Sequence, residues 1–313
     1  MDLDTFLQEF RSAPVFTSAG QRAPHKALAL LFAMSQFQRG HTHRLVRYVD
    51  AEVKLKQLLD QFGPPRRTHH PEQPVWRLRK NNQTPSNIWE VTHSDRIGQD
   101  ASGNPTIGDL RKYASFGISA EAADLFQRDP AALLEAAAII ADSIVPETLQ
   151  DELLVPMQLD AAQLPIQNQP LPFRLQDHTR VLAMRTVRDS AFSKSVLQAY
   201  GWRCAICGAS PKVDARHFGL EAAHIRWHQC NGPDTVNNGL CLCRMHHVAL
   251  DRGAITVNPA GEIDVSPMLD TSEESQLLFG RFRGATIRRP AEIQHHPASD
   301  ACTWHRSEVF IAG

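Results

Sequence analysis

The chain has no apolar run long enough to cross a bilayer, which takes about 20 consecutive apolar residues. Its first residues, MDLDTFLQEF, are acidic and amphipathic, unlike the basic and then apolar start of a signal peptide. Six cysteines in 313 residues are poor material for a disulfide framework and fit a reducing cytoplasm. Internal repeats and long low-complexity segments are missing as well. Neither charge is in excess: 33 Lys and Arg stand against 34 Asp and Glu, which at first argues against a nucleic-acid partner.

The distribution of charge argues otherwise. From Arg22 to Lys80 there are twelve basic residues against four acidic ones, and from Ala131 to Asp160 six acidic and no basic ones. A binding footprint depends on such local clustering rather than on the total, although a basic cluster alone equally describes a solvated face. A hydrophobic content of 42% with 21% charged residues is that of a soluble globular protein, and the length allows two domains.

The most informative stretch runs from Cys204 to Asp251. Cys204-x-x-Cys207 and Cys243-x-x-His246 are two short pairs about forty residues apart, a spacing that suits a tetrahedral zinc. Cys241 is an alternative to Cys243, which gives the two-residue gap; Cys230 and Cys302 are left over. A second set is His224, Asn238, His247 and Asp251. His247 and Asp251 are i and i+4, so on a helix they share one face and can grip one cation.

The His…Asn…His order, the flanking CxxC and CxxH pairs and the run NGLCLCRMHH…LDRGAITV resemble an HNH nuclease of the ββα-metal type with a structural zinc, over roughly residues 185–260. The resemblance implies a strand carrying His224, an Ω-like loop containing Asn238, and a helix from about Arg244 carrying His247 and Asp251. Phosphodiester hydrolysis needs an activated water, and His224 is the candidate base because a neutral imidazole titrates in the right range. A divalent cation, Mg2+ or Mn2+, would stabilise the developing charge, with His247 and Asp251 as its candidate ligands. Asn238 is expected to orient the backbone and ring around His224, or else to touch the metal. Many such sites carry an acidic or histidine ligand directly before the base. Here that position is Ala223, and His228 is either an accessory ligand or a surface histidine.

In the N-terminal half, residues 2–12, the run after Lys26, 50–62, 119–128 and 130–144 read as helices, with Pro24 in a first helical turn. Residues 44–49, 69–78 and 88–91 read as strands, the last two joined by NNQTPS, which makes Trp76 a core strand residue. RIGQDASGNPT (96–106) reads as a loop leading into a helix that starts near Asn104 or Thr106. Proline-rich 156–174 reads as an extended linker between domains at 1–155 and 175–313. Helix signals resume over 184–200, and GAITVNPAGEIDVS reads as a hairpin.

The series APHKALALL, FGPP, HPEQPVWRL, IWEV, SGNPTIGDL and VPETLQDELL, over roughly residues 5–155, is similar to the sulfur-binding domain of phosphorothioation-dependent (McrA-like) type IV restriction endonucleases. In that family the domain precedes an HNH nuclease, as here. The resemblance implies a basic pair beside the phosphate, His25 and Lys26, with Arg22 as a further contact. It also implies a proline turn at the sulfur, Gln73 and Pro74, and base readout from the loop 98–105 with Arg96 and Gln99 as polar candidates. Gln73 stands where the family often has an aromatic residue, a gap that Trp76 would have to fill.

The expected fold is therefore α+β: a mainly helical N-terminal DNA-reading domain with a small β-sheet, followed by a zinc-containing ββα-metal nuclease domain. The expected function is modification-dependent cleavage of double-stranded phosphorothioated DNA by a homodimer, since one HNH site nicks only one strand. An HNH nuclease directed at another modified base, such as methylcytosine, and a non-catalytic zinc DNA-binding protein are the alternatives.

Overall fold

The computed structural model describes residues 1–12, 21–39, 44–81, 84–160 and 191–313. The chain divides into two compact units, Met1–Pro165 and Ile166–Gly313. Among the described residues no helix is long and apolar enough to cross a membrane.

The first unit is built around helix α2 (His25–Gln38), which follows α1 (Leu3–Ser12). Residues Ala27 to Ser35 of α2 are all buried, so this helix is apolar on every side and needs neighbours all round. Full burial of Leu28, Leu30, Leu31 and Met34 stabilises the unit by roughly 1.5–3 kcal/mol each before entropy is counted. Helix α2 is packed by α3 (Tyr48–Phe62), α4 (Glu72–Arg77) and α7 (Pro130–Asp142); α5 (Ile107–Tyr113) packs on α3, and α6 (Ala120–Arg128) and α8 (Glu147–Leu154) pack on α7. Short polar caps start two of these. Ser119 accepts from the Ala122 amide ahead of α6, and Asp129 from the Ala132 amide ahead of α7, where Pro130 takes the first position.

A three-stranded antiparallel sheet completes the unit, with β1 (Leu45–Arg47), β5 (Ser115–Ile118) and β4 (Trp89–Val91) in that order. Leu45 is opposite Gly117, and Trp89 opposite Ile118. A Cβ on Gly117 would lie 2.0 Å from the Arg44 carbonyl oxygen, so only glycine admits this close approach. A minimal ladder of β2 (Lys80–Asn81) and β3 (Thr84–Pro85) lies between α4 and β4.

Residues 69–78, expected as a strand, instead form α4, and β4 takes β5 as its partner. The prolines explain this. Pro71 and Pro74 would each remove a ladder donor from a strand, but one sits at the N-cap and the other in the first turn, where amide hydrogens have no helical partner anyway. Trp76 is buried as expected, but on a helix, with the Arg79 guanidinium 3.7 Å from its ring centroid. Helix α8 lies in a segment where no helix was expected. Val155–Met157 then continue as a 3-10 turn with Met157 and Leu159 buried, so the first residues of the linker expected over 156–174 are packed rather than extended; the rest of it lies outside the described residues, as does the start of the helix expected over 184–200.

In the second unit, residues 191–199 form α9. A small hairpin, β6 (Lys212–Val213) with β7 (Arg216–His217), precedes a longer one of β8 (Leu220–His224) and β9 (Gly239–Cys243). Helix α10 (Arg244–Asp251) follows β9 without a break and packs on both strands, giving the ββα arrangement. The hairpin of β10 (Ile255–Val257) and β11 (Ile263–Val265) and helix α12 (Ser299–Glu308) complete the core, with α11 (Glu273–Leu278) on the surface between them in the chain.

Candidate functional site

Cys204, Cys207, Cys243 and His246 bring three sulfurs and a ring nitrogen within 4.8 Å of one another. The His246 ring is oriented from behind: its Nε2 lies 3.0 Å from the Leu278 carbonyl oxygen, to which it donates, while Nδ1 faces the Cys243 sulfur at 3.0 Å and the Cys204 sulfur at 3.6 Å. Donation from Nε2 leaves Nδ1 with the lone pair a metal requires. Phe279 and Phe282 meet the ring edge-on. Hydrogen bonds from Cys207 and Cys243 lower the Cys204 thiol, and the same shared contacts raise the Cys243 thiol. Cys241 stays outside the cluster; it is fully buried, and burial pushes its thiol up to about 12. This is a complete four-donor set for one tetrahedral metal ion.

The other histidine centre is assembled from β8, the loop after it, and α10. His224 ends β8, and its ring stacks on Phe192 of α9 with centroids 4.0 Å apart and a 13° angle between planes. Its Nε2 is 2.9 Å from Asp234 Oδ1. Asn238 is buried and closes the intervening loop. Its Oδ1 accepts from the Arg226 amide at 2.9 Å, and its Nδ2 donates to the carbonyls of Arg226 (3.0 Å) and Pro233 (2.9 Å). The amide is thus engaged with the backbone that carries His224, which fits orientation rather than metal contact. Gly232 lies in the same loop; a Cβ there would fall 1.8 Å from the Arg226 carbonyl oxygen.

On α10, His247 and Asp251 meet as their i, i+4 spacing implies, with Nε2 3.3 Å from Oδ2. Two donors at that separation match neighbouring corners around a cation with bonds of about 2.1 Å. The Asp251 side chain is only 2% exposed. Burial alone would depress the His247 imidazole, but Asp251 and Glu221 outweigh it and raise its pKa. His228 is exposed and presents its ring edge-on to His224, centroids 6.2 Å apart. Among the described residues, no group of three metal-binding side chains includes it.

Two acidic side chains here were missed from the sequence. Asp234 precedes Asn238 by four positions in a Pro-Asp turn. Glu221 lies on β8 one alternation before Ala223, with Oε2 2.8 Å from His247 Nδ1 and Oε1 2.8 Å from an Arg244 guanidinium nitrogen. The hydrogen bond with His247 holds the Glu221 carboxyl below its ordinary value.

In the first unit, α4 packs on α2 and presents Gln73, half-buried, and Pro74, buried. Exposed Arg77, one helical turn beyond them and also missed from the sequence, donates to the Asn104 side chain at 2.8 Å. Asp100 organises that loop by accepting from the Ser102 and Asn104 amides and from the Asn104 side chain. Burial and then the Arg77 charge push the Lys26 ammonium down to about 8, so Arg77 acts on Lys26 at the start of α2 while its side chain is bonded to Asn104 of the loop 98–105. His25 adds no charge there at neutral pH: burial first, then His69, Arg66 and Arg22, push it down to about 4. The expected basic pair is thus one cation and one neutral ring. Arg22 is buried, and its guanidinium donates to the Phe62 carbonyl at the end of α3, a place inside the unit rather than on its surface. Arg96 and Gln99 are exposed, with the Arg96 guanidinium 5.9 Å from the Tyr113 ring centroid.

Comparison with known families agrees with this two-part layout. Residues 204–258 match the HNH endonuclease family. The family of the ScoMcrA-like, DNA sulfur-binding domain matches residues 3–162, about half the chain, and the chain belongs to it. Similar solved structures include a modification dependent TagI restriction endonuclease, at 26% identity over 37% of this chain and 36% of that one, TM-score 0.28. Others are the type IV phosphorothioation-dependent restriction endonuclease ScoMcrA, at 21% over 47% and 32% with TM-score 0.37, and the sulfur-binding domain of ScoMcrA complexed with phosphorothioated DNA, at 19% over 48% and 96% with TM-score 0.40. The chain thus spans about a third of the length of the two endonucleases. No curated protein matches it.

Proposed function

We propose that this protein is a modification-dependent DNA endonuclease that anchors on phosphorothioated double-stranded DNA through residues 3–162 and hydrolyses nearby phosphodiester bonds with its HNH centre. The observation that carries this is the joining, in one chain, of a sulfur-binding-domain family match with a ββα centre holding His224, His247 and Asp251.

Sulfur in place of a non-bridging oxygen is larger, softer and less tightly hydrated, so a partly apolar surface at Gln73 and Pro74 would favour it. The surface of one sulfur supports only about 1 kcal/mol at ~25 cal/mol per Å2, so rejection of an ordinary phosphate must come largely from desolvating its oxygen. Lys26 and Arg77 would hold the remaining phosphate charge, while Arg96 and Gln99 face the bases.

In the nuclease unit, His224 takes a proton from water, the water oxygen attacks phosphorus, and the bond to the leaving sugar oxygen breaks. Asn238 keeps the loop and imidazole in register for this. His247 and Asp251 would hold a Mg2+ or Mn2+ ion, which when bound offsets charge on the phosphorane and leaving oxygen. The three cysteines with His246 would hold a structural Zn2+. We place the enzyme in the cytoplasm, as a homodimer whose two sites cut both strands.

The test is cleavage of two otherwise identical plasmids, one phosphorothioated and one not, in Mn2+ and in Mg2+. Cutting of only the modified plasmid is the expected result. Equal cutting of both would sink the sulfur anchor and leave the nuclease; cutting of a cytosine-methylated plasmid instead would move the specificity to a modified base. Binding without cutting under any condition would overturn the nuclease assignment.

A further inference from the structure

His247 is clasped by two carboxylates, and only one of them is placed to join it on a cation. Asp251 lies by Nε2 and Glu221 by Nδ1, on opposite sides of the ring. We infer that Glu221 is a positioning residue for the cation site: by accepting the Nδ1–H of His247 it fixes the ring's orientation and leaves the Nε2 lone pair directed, beside Asp251, at the metal.

A neutral imidazole carries one N–H, and which nitrogen bears it is set by the partner of the other. A carboxylate at 2.8 Å from Nδ1 draws the proton there, and Nε2 becomes the donor atom. A carboxylate behind a metal-bound imidazole also raises the ligand's basicity. Glu221 is itself held: Arg244 binds its second oxygen at 2.8 Å, and the β8–β9 ladder fixes its backbone opposite Leu242. Side chains alternate along a strand, so Glu221 shares a face with Ala223, whose side chain bears no ligand atom. The carboxylate therefore arrives from one alternation earlier and acts through His247.

This rests on the assignment of His247 and Asp251 to the cation, and the test separates the two. Mn2+ affinity of the zinc-loaded full-length protein is measured by calorimetry, without DNA, for the parent, Glu221→Ala, Glu221→Gln and His247→Ala. Glu221→Ala is expected to weaken Mn2+ about 10- to 100-fold. Glu221→Gln, whose amide oxygen still accepts from Nδ1–H, should recover most of that loss, which a merely structural defect would not predict. Parent-like affinity in Glu221→Ala together with lost binding in His247→Ala would overturn the role of Glu221 and leave the cation site standing. Parent-like affinity in His247→Ala would overturn the cation site itself, and this role with it. If the alanine variant does not fold, Glu221→Met, of similar length but without a strong acceptor, takes its place with the same expected loss.

Discussion

His246 and His247 are adjacent in the chain and belong to different centres. Successive side chains on a helix point about 100° apart, so α10 sends one imidazole into the cysteine cluster and the next toward Glu221 and Asp251. The first centre is closed: four protein donors lie together, and the ring is backed by a carbonyl and two phenylalanines. The second, the proposed cation site, brings together one nitrogen of His247 and one carboxylate of Asp251. A closed shell suits a metal that holds the fold, and an open shell one that takes part in chemistry. One short helix thereby supplies a donor to each of the two centres and ties the fold of the second unit to the geometry of the candidate site.

The sharpest way to break this comparison is to remove each centre in turn. Stripping metal from the cysteine cluster, by chelation or by Cys204→Ser, should unfold the second unit while the first keeps its own melting transition, because structural zinc contributes on the order of 10 kcal/mol in small folds. Calorimetry of the full chain would show one transition lost and one kept. A single unchanged pair of transitions would mean that the cluster is dispensable. His224→Ala, by contrast, should leave both transitions in place and lower the cleavage rate by about 100- to 10,000-fold, with DNA binding unchanged.

A smaller effect is expected in the first unit. Arg77→Ala should weaken binding to phosphorothioated DNA by about 1.5–3 kcal/mol and make the salt dependence shallower by about one unit. A titration series from 50 to 200 mM salt checks both, and an unchanged slope would remove Arg77 from the phosphate. The effect of pH follows from Lys26, whose ammonium is depressed to about 8 from an ordinary 10.5. Between those values the unfolded chain holds a proton that the folded one has shed, so this residue's share of stability rises with pH. Binding runs the other way, because a phosphate favours the charged ammonium and draws the proton back. DNA affinity should therefore fall as pH rises through about 8, and Lys26→Arg, which stays charged, should flatten that limb. The smallest expected effect is that of Arg244→Ala on stability, about 0.2–1 kcal/mol, because the side chain is 71% exposed and its ion pair is well solvated.

Much of both centres was legible as spacing. CxxC with CxxH, and histidine with aspartate at i, i+4, are local patterns, and local geometry carries them directly into shared faces and short distances. The buried central helix was legible for the same reason, since a continuous apolar run has to be surrounded. The reading of 69–78 as a strand failed because hydrophobic character outweighed two prolines whose places suit a helix start. Asp234, Glu221 and Arg77 were missed because each acts across the fold. Glu221 meets His247 across 26 positions, and Arg77 meets Asn104 across 27.

By itself, then, the sequence determined the two-part architecture, the donor types of the cysteine cluster and the histidines of the candidate second centre, because these follow from residue type and short-range periodicity. Only the tertiary structure decided which carboxylates stand behind the histidines, that the Asn238 amide bonds the loop backbone at Arg226 and Pro233, and that His25 is held neutral while Lys26 is left easily deprotonated. Those depend on distances between distant segments and on burial, and pairwise electrostatics in a partly dry interior changes steeply with both.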